Sequence, residues 1–293
     1  MTKRRRLAGV VAAMMVVAAM MGLPGTASAH TGEFSKFDQC PSTNPEVLKC
    51  INSIVESGEF VLGKKKVPIV NPVTLQGGYG AANPETRFSK FYAATNGETL
   101  SKSPQPVPGG LAGLVNCKEI TNFILKAACE WTFENGLTGV NSTLELAKPA
   151  SEIKISEFNL VFAKGTALSL PVKVHLENPF LGSTCYIGSE ASPIVLNLTT
   201  GTTAPPPPNE PIKGSVGKGE FLEGGTIGKI NGLKLVDNAW SAPGASGCGG
   251  PIIELLLNPI INASVGVPSP AGTNTAIQVA TSYSASVKAV NEH

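Results

Sequence analysis

Aspartate occurs twice in the 293-residue chain, as Asp38 and Asp237, and histidine three times, as His30, His175 and His293. Acid–base catalysis and hard-metal binding draw on those side chains, so the sequence offers little of either chemistry. Arginine is confined to Arg4, Arg5, Arg6 and Arg87. Phosphate and nucleic-acid recognition lean on bidentate arginine and basic patches, which excludes a nucleic-acid partner. The only other basic run, Lys64-Lys65-Lys66, reads as a solvated turn. No C-x-x-C pair is present, which removes the usual zinc spacing. There is no G-x-S-x-G elbow, and Gly224 to Ile230 lacks the spacing and the hydroxyl of a phosphate loop. No cofactor is expected. Aromatic residues make up 6% of the chain, and Trp131, Trp240, Tyr79, Tyr92 and Tyr186 are expected in the core rather than in a stacking platform.

Long apolar runs are also scarce. Leu7 to Leu23 is one, preceded by Lys3-Arg4-Arg5-Arg6 and followed by Pro24, Gly25 and Ala27-Ser28-Ala29. A positive start, a short apolar core and small residues at a cleavage point are the marks of a secretory signal peptide rather than a membrane anchor. Residues 1–29 are therefore expected to be a leader, and the protein to be secreted, extracellular or associated with the cell envelope. Four of the 23 basic residues belong to that leader, leaving 19 against 21 acidic ones. The second apolar run, Pro251 to Asn262, is interrupted by Glu254, Asn258 and Pro259, so it reads as a short buried helix or turn and not a span.

Six cysteines follow the leader: Cys40, Cys50, Cys117, Cys129, Cys185 and Cys248. An even count in an exported chain argues for three disulfides. Six cysteines allow 15 pairings; neighbours in sequence are the expected partners, giving Cys40–Cys50, Cys117–Cys129 and Cys185–Cys248.

What the chain does have is alternation. Leu168, Leu170, Val172, Val174 and Leu176 take every second position, as do Ile194, Leu196 and Leu198, and a period of two marks strands with one buried face. Leu144 and Leu146, Ile153 and Ile155, and Phe158, Leu160 and Phe162 continue the pattern, and Leu233 to Trp240 offers another strand. In the last strand Ile277, Val279, Thr281, Tyr283, Ala285, Val287 and Ala289 are expected on one face. Pro205 to Pro208 forces a donor-free loop. Before residue 140 the pattern is weaker. Asn44-Pro45 with Val47, Ile51, Ile54 and Val55 reads as a helix ended by Gly58, followed by a hairpin turning near Gly63-Lys64. Residues 71–113 read as long loops with one short strand near Phe88 to Tyr92. Residues 118–133 fit a helix, and also a strand. The expected fold is mainly β, an antiparallel β-sandwich with a small disulfide-stapled, partly helical N-terminal region. Residues 30–293 form one domain in this reading, with 30–139 loop-rich and 140–293 the sandwich core.

With Phe180 to Ser189, Asn197 to Thr203 and Gly247-Cys248-Gly249-Gly250 in view, the chain resembles a group of uncharacterised secreted proteins of high-GC Gram-positive bacteria (actinobacteria). That resemblance implies secretion and a shared fold, and carries over no catalytic residue. The expected role is non-enzymatic: an extracellular or cell-envelope binding or structural protein, whose partner is a cell-wall or other extracellular ligand. One alternative is copper binding. Cleavage after Ala29 would leave His30 at the N-terminus, where amine and ring bind copper together, with His175 or His293 as the second imidazole. The other alternative is a secreted glycosidase using two of the 19 glutamates, with carboxyls roughly 5–10 Å apart. Glu145 and Glu177 fall on polar-face positions and read as solvated surface.

Overall fold

The structure is a computed structural model describing residues 30–293, so the leader expected at residues 1–29 lies outside the described residues. All three expected disulfides are formed, Cys40–Cys50, Cys117–Cys129 and Cys185–Cys248. Among the described residues no helix is long and apolar enough to cross a membrane.

The chain is mainly β. Its strands are β1 (Lys49–Leu62), β2 (Lys65–Pro68), β3 (Val73–Ala82), β4 (Ser89–Ala93), β5 (Pro104–Pro106), β6 (Asn141–Leu146) and β7 (Lys154–Ile155) in the first half. β8 (Leu168–Glu177), β9 (Tyr186–Ile187), β10 (Ile194–Leu198), β11 (Lys218–Leu222), β12 (Ile227–Asp237), β13 (Ala245–Ser246) and β14 (Thr275–Ser286) complete it. These 14 strands form one sheet in the order β11-β12-β14-β1-β3-β4-β7-β8-β6-β5, with β2 beside β1, β9 and β10 beside β8, and β13 beside β9. The sheet turns back on itself: the Thr199↔Val236 bridge just past β10 ties it to β12. The result is two facing antiparallel layers, one around β12-β14-β1-β3 and one around β6-β8-β10, closed over a single large apolar core.

The N-terminal region is disulfide-stapled and partly helical, as expected, but it is built into the sheet rather than capping it. Residues 49–57 of the expected helix instead belong to the long central strand β1, whose end, 59–62, forms the expected hairpin with β2. The start signal is local only: Asn44 Oδ1 accepts the Glu46 amide in a turn, and the chain then extends. Cys50, Ile51, Asn52 and Ser53 are all buried, because β1 packs the main core on one face and a second cluster, with Phe34, Phe37, Ile227 and Val290, on the other. A strand buried on both faces loses its alternation and imitates a helical pattern. β3 was hidden for a different reason: its glycines, Gly77, Gly78 and Gly80, read as loop. A side chain on Gly78 would strike Val47 and one on Gly80 the Glu46 carbonyl.

Residues 158–162 overturn the strand expected there. They form the helix α2 (Glu157–Phe162), capped by Ser156 Oγ, which accepts the Asn159 amide at 3.2 Å. The cap and the Phe158–Phe162 contact at 4.6 Å outweigh the alternation. Residues 118–133 resolve as helix: α1 (Phe123–Glu134), capped by Asn122 and tethered by Cys129. Trp131 stands exposed on it, contrary to the core position expected. The apolar run near 251–262 is α3 (Glu254–Val265), ended by Gly266 in the left-handed region. β14 ends in α4 (Val287–Glu292), so the strand expected to run on through Val287 and Ala289 stops at Ser286. Over its first half the buried face is the reverse of the expected one, with Ala276, Gln278 and Ala280 inward, whereas Thr281 and Ala285 of the expected face are buried further along. Leu233 and Leu235 of β12 pair with Ala280 and Gln278, and Val55 of β1 pairs with Ala280. The large neighbours fill the inner face and leave room for alanine between them.

Candidate functional site

The two layers do not close completely. A cavity of about 90 Å³ lies between them. On one wall Val172, Val174 and Leu176 of β8 and Leu196 of β10 supply the inward row that the alternation foretold. The other wall comes from Val55, Phe60 and Leu62 of β1, with Val67 of β2 and Gln278 of β14. β1 can present both Val55 and Phe60 inward only because the register shifts between Val55 and Ser57. That bulge inserts one residue and exchanges odd for even positions on the inner face. A second space of about 30 Å³, lined by Leu75, Leu100, Leu168 and Leu170, shares Val55, Val73, Leu144 and Gln278 with the first. Gln278 is among the residues that border both spaces.

Polar groups along the cavity are few. Gln105 is fully engaged: its Oε1 accepts the amides of Val70 and Asn71, and its Nε2 donates to the carbonyls of Asn71 and Ser103. The Trp240 side chain is different. It is 4% exposed and lines the cavity, and its Nε1–H has no hydrogen-bond partner. A buried donor left unpaired costs about 1–3 kcal/mol. Lys65 also lines the cavity, with its Nζ bonded to the Gly113 carbonyl. Asn274 joins the β1–β2 turn to the backbone of Trp240. Its Oδ1 accepts the Gly63 amide in the β1–β2 turn at 2.9 Å, and its Nδ2 donates to the Trp240 carbonyl at 3.0 Å.

The residues singled out by sequence fall elsewhere. His175 lies on the outer face of β8, as expected, and the pairing of β6 with β8 brings both glutamates to it. Its Nδ1 is 3.6 Å from Glu145 Oε1 and 3.5 Å from Glu177 Oε1. Glu145 also meets Lys173 at 3.6 Å, and the His175 ring stacks on Tyr186 at 4.4 Å. Burial, with both carboxylates nearby, pushes the Tyr186 phenol up. Nε2 of His175 lies 3.1 Å from the Ser183 carbonyl, an acceptor only, so Nε2 carries the proton. The Glu145–Glu177 pair is thus brought together on the outer face of the sheet, with the His175 ring between its members. The period of two already put His175 and Glu177 side by side; Glu145 joined them only through the strand register.

His30 stands apart from His175, on the turn before the 3-10 segment Gly32–Phe37. Its backbone N and its Nδ1 both converge on Asp38 Oδ1, at 2.9 and 2.7 Å. These are the two nitrogens a copper brace would use, and a carboxylate oxygen holds them. His293 stacks on Phe34 with ring centres 4.3 Å apart. Among the described residues no group of three or more His, Cys, Asp or Glu is arranged to hold a metal, and all six cysteines are in disulfides. Compared with family models, with curated proteins and with solved structures, the chain matches none.

Proposed function

We propose that this is an exported, non-enzymatic binding protein that takes a small apolar molecule between the two layers of its sheet. The observation that carries the reading is the cavity itself, about 90 Å³, walled by aliphatic side chains of both layers and bordered by Trp240. Ligand pockets are mostly apolar with a few placed polar groups, and an apolar space of this kind stays dry until an apolar guest fills it. Three disulfides support an oxidising, extracytoplasmic setting.

Benzene, a small uncharged probe of the size such cavities take, tests the reading. Native mass spectrometry should show a 1:1 complex, with a change in tryptophan fluorescence and a rise in Tm that grows with ligand concentration. Val174→Phe, which fills the space, should weaken that binding. Absence of any complex, or binding untouched by Val174→Phe, would rule out the cavity as the site.

A further inference from the structure

The sheet has two ends, and they are finished differently. At one, β5 carries proline at two of its three positions. Proline has no N–H to offer a further strand, so that edge is closed to pairing. At the other, β11 reads Lys-Gly-Glu-Phe-Leu and pairs with β12 alone. Lys218, Gly219, Glu220 and Phe221 are all exposed, Phe221 at 80%. Among the described residues nothing pairs with the outer edge of β11, and each of its residues has a backbone N–H. Such an edge is a template for another strand. Phe221 adds to this. Its cross-strand neighbour is Gly228, and a Cβ on Gly219 would meet nothing within 4 Å, so the nearest strand positions on that face are glycines.

Charge selects the strand that fits. Lys218 and Glu220 occupy the opposite face of β11 from Gly219 and Phe221. Glu220 is met by Lys229 at 2.7 Å and by the Asn231 side-chain amide at 2.8 Å. Among the described residues no carboxylate forms an ion pair with Lys218. A lone edge lysine discourages pairing with an unrelated strand, but a second β11 answers it. We propose that β11 adds to β11 of a second copy of this chain, antiparallel about a two-fold axis at Gly219. Lys218 then lies opposite Glu220 of the second copy, and Glu220 opposite Lys218 of the second copy. Phe221 lies beside Gly217 and Gly219 of that copy, where no side chain obstructs the ring. Opposite charges facing each other across an antiparallel pair are favourable, whereas an axis at Glu220 would set two carboxylates against each other. A two-fold contact uses one patch twice, so a single lysine and a single glutamate supply both ion pairs.

Sedimentation velocity of the purified protein tests this. A contact through one short strand belongs at the low end of interface sizes, so a reversible dimer with a Kd of roughly 10–100 μM is expected. Lys218→Glu turns both ion pairs into repulsions and should weaken the dimer about tenfold or more. Lys218→Arg should retain it, and Phe221→Ser should weaken it. All three positions of change are exposed, so the variants should keep the wild-type circular dichroism. Cysteine on the axis reads the register: mild oxidation should link Gly219→Cys chains far more readily than Glu220→Cys chains. A peptide of residues 216–222 should compete with the dimer, and the same peptide with residues 218 and 220 exchanged should compete less. A protein that stays monomeric to about 500 μM, or a dimer untouched by both Lys218→Glu and Phe221→Ser, overturns the assignment of this edge. Preferred linking of Glu220→Cys overturns the axis at Gly219. Equal competition by the two peptides assigns the edge to extended strands in general and overturns the second copy as its occupant.

Discussion

Gly58 of β1 lies directly opposite Gln278 of β14, where the two backbones come too close for a side chain on the first. Gly58 has φ +139°, and a Cβ there would collide with the Ile277 carbonyl oxygen. It follows the bulge that turns Phe60 and Leu62 toward the cavity. Gly58→Ala should cost roughly 2–4 kcal/mol, since both backbone strain and overpacking are introduced. Urea unfolding checks this; a loss under 0.5 kcal/mol would mean that β14 gives way easily.

Gln278 is 6% exposed and borders both parts of the apolar interior. Gln278→Leu should raise stability by about 1 kcal/mol, because a buried amide is exchanged for a hydrocarbon of similar size. It should also tighten benzene binding. A fall in both quantities would show that the amide is satisfied by ordered water.

The Cys185–Cys248 bridge closes a loop of sequence separation 63, against 10 for Cys40–Cys50. In the chain-entropy account the longer loop is worth about 4 kcal/mol and the shorter about 3. Replacing each pair by alanine and measuring unfolding free energies should reproduce that order. The reverse order would point to native packing around Cys50, which is fully buried, as the larger contribution.

Asp237 gives a pH dependence with a definite sign. Burial raises its pKa, although the amides of Ala239 and Asn197, at 2.9 and 2.6 Å, act against the rise. The native state thus holds this proton more tightly than the unfolded chain does. Its stabilising contribution is full below the ordinary aspartate range and declines as pH rises through the raised native pKa. Wild-type stability should therefore fall relative to Asp237→Asn across that window, as read by urea midpoints between about pH 3 and 6. A relative gain with rising pH would show that the two backbone donors outweigh burial.

The candidate site itself was half legible. The inward row of β8 and β10 was plain in the sequence, since strict alternation admits one buried face. The opposite wall was not. β1 carries a bulge and is buried on both faces, and β3 is masked by glycine. Lys65 looked like one of three equivalent lysines because nothing local distinguishes a side chain turned inward from its neighbours. Trp240 was expected in the core, and its unpaired N–H can be seen only once the surrounding partners are known.

Sequence by itself determined what local chemistry can encode. It gave six cysteines with near-neighbour partners, the alternation of β6, β8 and β10, the hairpin at Gly63-Lys64, the proline-rich loop, and a composition poor in acid–base and phosphate-binding groups. Tertiary structure decided the rest: the central place of β1, the helical state of residues 157–162, the inward face of β14, and the meeting of Glu145 with His175. Each of these depends on which strand lies beside which, and in what register. Register is set by the summed burial of two layers against each other, a quantity that no single stretch of the chain contains.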